Sequence, residues 1–258
     1  MCRSRATILS CLILFASSAL FSLGGSTDLT ASLANLPGLA DSPDKGTFVE
    51  LVKAIGDVYT EGKITIEVFP FARSVNNVLT GLADFHIPTV RNPMVDQAKL
   101  PYGTVKVPMG SVTFVIYSNS ASSISKKMLD DAIAGGKNFP YKIDLPGGIE
   151  NQFPFTGTPT NDLEHSLRKL SAGRIDALIW AQEEVDATLK ALKLKNIHRE
   201  FWTNFDDAII IPKGAEGDKL DRILSDALTA LKKSGKLEAL HSRVHHSYDT
   251  WQPAEMGW

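Results

Sequence analysis

Hydrophobic positions along the chain follow two alternating periods. Phe48, Leu51, Val52, Ile55 and Tyr59 recur at helical spacing, and Glu61-Gly62 closes that segment. Ile64, Ile66 and Val68 then alternate with polar residues, the two-residue period of a short strand. Pro70 opens a second predicted helix with an apolar stripe of Val75, Val78, Leu79 and Leu82, and Gly81 stands where a helix stops on a left-handed residue. The chain returns as a strand over 84–87.

The same phrase is repeated further along. After Pro159, Asn161 and Glu164 form a capping-box pair. Leu163, Leu167 and Leu170 supply the buried stripe, Gly173 ends the helix, and residues 175–180 (IDALIW) read as the following strand. Two copies of helix, glycine, aspartate and strand predict two similar lobes rather than one continuous unit. Asp84 and Asp176, at the same place in the two copies, are expected to hold a turn or a backbone amide rather than a ligand.

Between the copies lies a β-rich run at 112–117 (VTFVIY), and another follows at 207–211 (DAIII). Two extended crossings between two lobes make a hinge, with the chain leaving the first lobe and returning to it. The end of the chain is helical, with Leu220, Ile223, Leu224, Ala227, Leu228 and Leu231 on one face, a stop at Gly235, and a short helix over 237–244. Alternation of helices with strands throughout gives an α/β class. The Gly- and Pro-rich stretch 145–157 is expected to form loops around a site.

The first residues do not belong to this pattern. Arg3 and Arg5 precede a charge-free apolar stretch, ATILSCLILFASSALFSL, that ends among small residues, as a secretory leader does. Residues 1–26 are assigned to a cleaved signal peptide, which predicts export to the periplasm. Both cysteines, Cys2 and Cys11, go with it, so disulfide and thiol chemistry are excluded from the mature protein. Loss of Arg3 and Arg5 takes the formal charge from −2 to −4. A chain without basic excess lacks the footprint of a nucleic-acid binder, and a charged fraction of 22% against 43% hydrophobic excludes a disordered protein. The remaining residues group as 27–113 (first lobe), 114–206 (second lobe) and 207–258 (return to the first lobe).

The order of short motifs carries a resemblance. Leu36-Pro37 precedes a Gly46-led helix (GTFVELVKAI); then come Pro70-Phe71-Ala72-Arg73, Gly81-x-x-Asp84, Gly173-Arg174-Ile175-Asp176, Lys213-Gly214, and finally Ala227-Leu228 through Gly235-Lys236-Leu237. Together they resemble the extracytoplasmic solute-binding proteins of the family-3, polar-amino-acid type, over nearly the whole mature chain. The resemblance implies a type II two-lobed periplasmic-binding-protein-like fold with two hinge strands. It also implies capture of a small polar solute, an amino acid or organic acid, by hinge closure, and delivery to an ABC transporter permease by a monomer. It implies no catalysis and no cofactor.

Within that expectation, Arg73 stands at a strand-to-helix edge facing the cleft, and Arg91 offers a guanidinium fork to a ligand carboxylate; the competing role for Arg91 is an interlobe ion pair. Phe71 is a stacking candidate. Trp180, at the end of its strand, is a candidate cleft wall, and Glu183 just beyond it a partner for a ligand amine. The hydroxyl-bearing helix start typical of amino-acid binders is replaced by Pro146-Gly147-Gly148-Ile149-Glu150-Asn151, where the amides of Gly147 and Gly148 are candidate anion holders. Asp206, with Asp207, precedes the return strand, either at the site or in the hinge. His241 and His245 sit one helical turn apart, but with no acidic or thiol partner nearby they read as a solvated helix face, so no metal is expected. No phosphate loop, zinc-protease helix or nucleophile elbow is present. Two rival readings are carried: an enzyme on the same scaffold, a cyclic-acid dehydratase using Glu183, Glu150 or His86 as general acid, and a sensory module docking to a membrane receptor.

Overall fold

The computed structural model describes residues 27–136 and 139–258; the predicted leader, with both cysteines, lies outside them. In chain order the elements are β1 (Leu29–Ala34), α1 (Thr47–Val58), β2 (Ile64–Phe69), α2 (Phe71–Leu79), β3 (Phe85–Arg91), β4 (Gly103–Thr104), β5 (Gly110–Asn119), α3 (Lys126–Gly135), β6 (Ile143–Pro146), β7 (Thr158–Thr160), α4 (Leu163–Ser171), β8 (Ala177–Ala181), α5 (Gln182–Leu192), β9 (Ile197–Ile211), α6 (Ala215–Lys233) and α7 (Lys236–His241).

The strands join in the order β2-β1-β3-β9-β5-β8-β6-β7, with β4 beside β9. The internal repeat is visible in the pairing. In one half β1 lies parallel between β2 and β3, and in the other β6 lies parallel between β7 and β8. The strands that join the halves, β5 and β9, run antiparallel to their neighbours. β9 begins farther back than the DAIII run suggests. Its first part pairs with β5 from Ile197 to Asp207, and its last part passes on to β3 through residues 206–210. A bulge at Trp202, between the residues paired with Phe114 and Val115, followed by the polar Thr203 and Asn204, hid this continuity from the alternation rule.

Two main hydrophobic clusters match the two halves. The first holds Leu33, Phe48, Ile55, Phe85, Ile209 and Leu224, and the second Phe114, Tyr117, Leu145, Leu167, Ile179 and Trp202. The two repeated aspartates do the same work in each. Asp84 accepts the Thr30 backbone N–H through its carboxylate (2.6 Å) and donates its own N–H to the Thr30 carbonyl (2.9 Å). Asp176 makes the same pair of bonds with Lys142, at 2.7 and 2.8 Å. Each clamps the start of the next parallel strand, as the sequence repeat predicts. Two details differ from the periodicity. The α4 cap is Asp162, whose side chain accepts from the His165 N–H, and not Asn161. Leu79 and Leu82 are exposed rather than part of the α2 stripe.

The last residues depart from the expected grouping with the first lobe. Tyr248 and Trp251 pack on the second cluster. There the buried Arg199 pairs through two nitrogens with Asp186 (2.8 and 2.6 Å), donates to the Trp251 carbonyl (2.6 Å), and lies 4.0 Å from the Trp251 ring centroid. The tail therefore forms a third crossing beside β5 and β9. Among the described residues no helix is long and apolar enough to cross a membrane.

Candidate functional site

In open parallel sheets ligands bind in the crevice outside the carboxyl ends of the strands, where the connections that leave those ends diverge. In this chain both halves present those ends to one cavity of about 570 Å³. From the first half come Phe69 at the end of β2, Phe71 and Ala72 at the start of α2, and Pro88, Thr89 and Val90 on β3. The loop Asn35–Leu39 closes one side, held to the start of α1 by the Phe48 N–H donating to the Leu39 carbonyl (2.9 Å). Gly46 permits that approach: its φ is +131° and a Cβ would collide with the Leu39 backbone. From the second half come Pro146 at the end of β6 and Gly147 just after it, Asn161, and Trp180 and Glu184 at the β8–α5 junction. Phe114 and Asp207 face the cavity from the hinge strands, and His245 from the C-terminal segment.

The walls are mainly aromatic and aliphatic. Among the described residues their ionisable side chains are Glu184, Asp207 and His245, and none of the lining residues is a lysine or arginine. Glu184 accepts a hydrogen bond from the Trp180 indole N–H (3.1 Å). Burial lifts its carboxyl above the usual range, and that indole bond opposes the rise. Glu183 sits behind it, 3.4 Å from His245 Nδ1 and accepting from the His246 N–H (3.2 Å). Burial alone would raise the Glu183 carboxyl, but His245 more than reverses this and leaves it below the usual value. His245 is shifted in the complementary sense: burial disfavours its charge, Glu183 and Asp207 favour it, and the net shift is upward.

Behind Phe71 lies a buried polar relay. The His86 ring meets Phe71 edge-on at 5.0 Å. Its Nε2 faces the Pro88 carbonyl at 3.0 Å, which can only accept, so Nε2 carries the proton of the neutral ring. Nδ1 then accepts from Ser74 Oγ (2.6 Å), Ser74 accepts from Ser32 Oγ (2.9 Å), and Ser32 accepts from the Asn77 amide (3.3 Å). Burial drives the His86 pKa down to about 3.

Of the residues singled out from sequence, Phe71, Trp180 and Gly147 line the cavity. Gly148 lies at its edge with φ +96°, and a Cβ there would stand 2.5 Å from Phe71 Cδ1, so the glycine lets the first half's aromatic close on the second half's loop. The anion-holding role of the two glycines is corrected: the Gly147 N–H donates to the Thr160 carbonyl (2.9 Å), and the Gly148 N–H to the chain's own Glu150 carboxylate (2.6 Å). Both donors are already used.

Arg91 and Asp206 are corrected together. Arg91 donates through Nε and Nη2 to Asp206 Oδ2 (3.0 and 2.7 Å) and through Nη1 and Nη2 to the Val105 and Lys106 carbonyls (3.0 and 3.2 Å). Neither lines the cavity. Asp206 and Asp207 are neighbours on a strand and point to opposite faces; the pair belongs to the face away from the site. Arg73 is also absent from the lining, its guanidinium 4.8 Å from the Phe69 ring centroid. Glu183 is displaced by Glu184, one step of about 100° around α5. Glu150 and His86, the other candidate acids, are a loop cap and a buried relay member.

The reading of His241 and His245 as a solvated face is also corrected. Asp207, distant in sequence, is the acidic partner that local spacing could not supply. It lies 3.5 Å from His241 Nε2 and 3.6 Å from His245 Nε2. Asn35, Thr89, Asn161 and Glu184 are polar lining residues that the sequence did not single out for the site, and Asp207 was named there only beside Asp206; for Glu184, adjacent to Glu183, the acidic pair was the available signal.

No protein-family model and no curated protein sequence matches the chain. Solved structures do match. A histidine kinase sensor domain with similarity to periplasmic binding proteins superposes with a TM-score of 0.64 at 18% identity, covering 85% of this chain and 96% of that one. The substrate-binding protein of an amino acid ABC transporter gives 0.58 at 17%, covering 84% and 99%. The ancestral amino acid-binding protein AncCDT-1, a precursor of cyclohexadienyl dehydratase, gives 0.59 at 16%, covering 85% and 95%. Identities this low speak for the fold, and on that level the resemblance read from the motif order holds: the chain has the two-lobed α/β fold of periplasmic-binding-protein type.

Proposed function

We propose that this chain is an extracytoplasmic solute-binding protein that closes over one small molecule and presents it to an ABC transporter permease as a monomer. The observation that carries this reading is the cavity itself. It has the volume of a small-ligand site, it is built from the strand ends of both halves, and among the described residues the chain crosses between those halves through β5, β9 and the C-terminal segment. A solute touching both halves favours the closed form by its differential affinity for it.

The lining narrows the solute class. An α-carboxylate held directly by a guanidinium is not supported, because Arg73 and Arg91 are engaged elsewhere. Phe71, Phe114 and Trp180 favour a solute with an apolar body, and Asn161 and Glu184 supply polar contacts. Mass spectrometry of small molecules released on denaturing the purified protein, followed by calorimetry with the compound found, tests the proposal. One solute per chain is expected, with affinity lowered at least tenfold in Trp180→Ala. A well-folded protein that releases nothing and binds nothing from a broad metabolite panel would sink it.

A second reading, acid catalysis on the same scaffold, draws on one observation: Glu184 is a carboxyl held toward its neutral form inside the cavity. It requires turnover of a bound cyclic acid that disappears in Glu184→Gln while binding persists.

A further inference from the structure

Asp207, His241 and His245 converge from separate elements where β9 meets the C-terminal segment. One ligand atom from each lies within 4.8 Å of the other two. Asp207 is fully buried, yet neither of its carboxylate oxygens has a hydrogen-bond partner among the described residues, and His241 Nε2 has none either. A buried carboxylate left in this condition is costly, because desolvation is not offset by donors.

The spacing accounts for the arrangement. Asp207 Oδ2 stands 3.5 Å from His241 Nε2 and 3.6 Å from His245 Nε2. These separations are long for hydrogen bonds. They are close to the separation of about 3.4 Å between neighbouring donors on a tetrahedral ion with metal–ligand bonds near 2.1 Å. Two further features belong to such a site. Gly110 lies opposite Asp207 in the β5–β9 register, and a Cβ there would overlap the His241 ring, so the glycine is what admits the imidazole over the carboxylate. Glu183 Oε2 faces His245 Nδ1 at 3.4 Å, on the side of the ring away from Asp207, where an outer carboxylate orients a metal-bound histidine.

We propose that Asp207 Oδ2, His241 Nε2 and His245 Nε2 form a binding site for a divalent transition metal, with a further coordination position open to the cleft. Two imidazoles and one carboxylate suit zinc and its neighbours rather than calcium or magnesium. Asp207 and His245 both line the cavity, so a solute donor atom can reach the ion. The ion also supplies the positive charge that the lining otherwise lacks, and it ties β9 to the C-terminal segment. This site stands independently of which solute the cleft takes.

The test is zinc binding to the metal-stripped full-length mature chain, by calorimetry and by elemental analysis after dialysis. One zinc per chain is expected. Asp207→Asn and His241→Ala should each weaken it at least 100-fold, Glu183→Gln by roughly 10- to 100-fold, and exposed His165→Ala not at all. Cobalt(II) added to the unaltered protein should give visible d–d absorption of a low-symmetry N/O site that zinc abolishes, a readout that survives if a ligand variant fails to fold. Absence of stoichiometric zinc and of the cobalt bands, or zinc binding that persists in folded Asp207→Asn and His241→Ala, would overturn the assignment.

Discussion

Acidification should destabilise this protein through one histidine. His86 is fully buried behind the cleft, its Nδ1 taken by Ser74 and its Nε2–H by the Pro88 carbonyl. A proton added to Nδ1 would meet a hydroxyl already committed as donor and would place an unpaired charge away from water. The folded-state pKa of about 3 lies below the value of 6.5 expected of an unperturbed ring. The unfolded chain therefore binds the proton first as pH falls, and stability contributed by the neutral ring is complete above pH 6.5 and is lost through the window down to about 3. At about 1.4 kcal/mol per unit, the loss is roughly 2 kcal/mol by pH 5 and approaches roughly 5 kcal/mol at the acid end of the window. Against a total stability of order 5–15 kcal/mol, that is a large share.

Other groups titrate over the same range, so the measurement is a difference. Urea unfolding of the unaltered protein and of His86→Gln is compared at about pH 7 and about pH 5. The variant should be less stable at neutral pH by roughly 1–3 kcal/mol, because the serine relay loses its terminal acceptor. Its stability should fall less on acidification, so the two curves converge by roughly 2 kcal/mol by pH 5. Parallel curves would show that His86 is not held neutral by the fold and would refute the assignment of the relay.

The corrected arginines, the glycine edge and the C-terminal strap give further expectations. Arg91→Ala should lower stability by about 1–3 kcal/mol, since it strands the Val105 and Lys106 carbonyls and Asp206, whereas Arg73→Ala should be near neutral; calorimetry should find solute affinity within about threefold of the parent in both, as neither lines the cavity. Gly148→Ala should weaken solute binding about tenfold or more by forcing Phe71 off the second half's loop, with about 1–2 kcal/mol of added backbone strain; unchanged affinity would mean that the Phe71 contact does not belong to the binding-competent form. Arg199→Met should cost about 3–5 kcal/mol by leaving the Asp186 carboxylate as a buried, uncompensated charge, and limited proteolysis should then cut within 245–258 before any other segment.

What could be read along the chain, and what could not, divides according to the range of the interaction. The repeat of helix, glycine and aspartate is local, and both its copies and the clamping role of Asp84 and Asp176 are present as the spacing predicts. The cleft residues failed at single-residue resolution. Glu183 and Glu184 are chemically equivalent in sequence, and only the phase of α5, set by where β8 ends, decides which of them reaches the indole of Trp180. Asp206 and Asp207 pose the same problem on a strand: alternation says that they face opposite ways, but which faces the cleft depends on pairing with β3 and β5, strands distant in sequence. Arg91 followed Asp206, since a guanidinium that finds a carboxylate and two carbonyls on its own face has no remaining reason to turn toward the cavity. The same long-range pairing changed the meaning of His241 and His245. One helical turn apart they look like an exposed pair, and it is the strand returning through the hinge that places Asp207 between them. One of the two strands that join the halves, β9, thus also carries the carboxylate on which His241 and His245 converge.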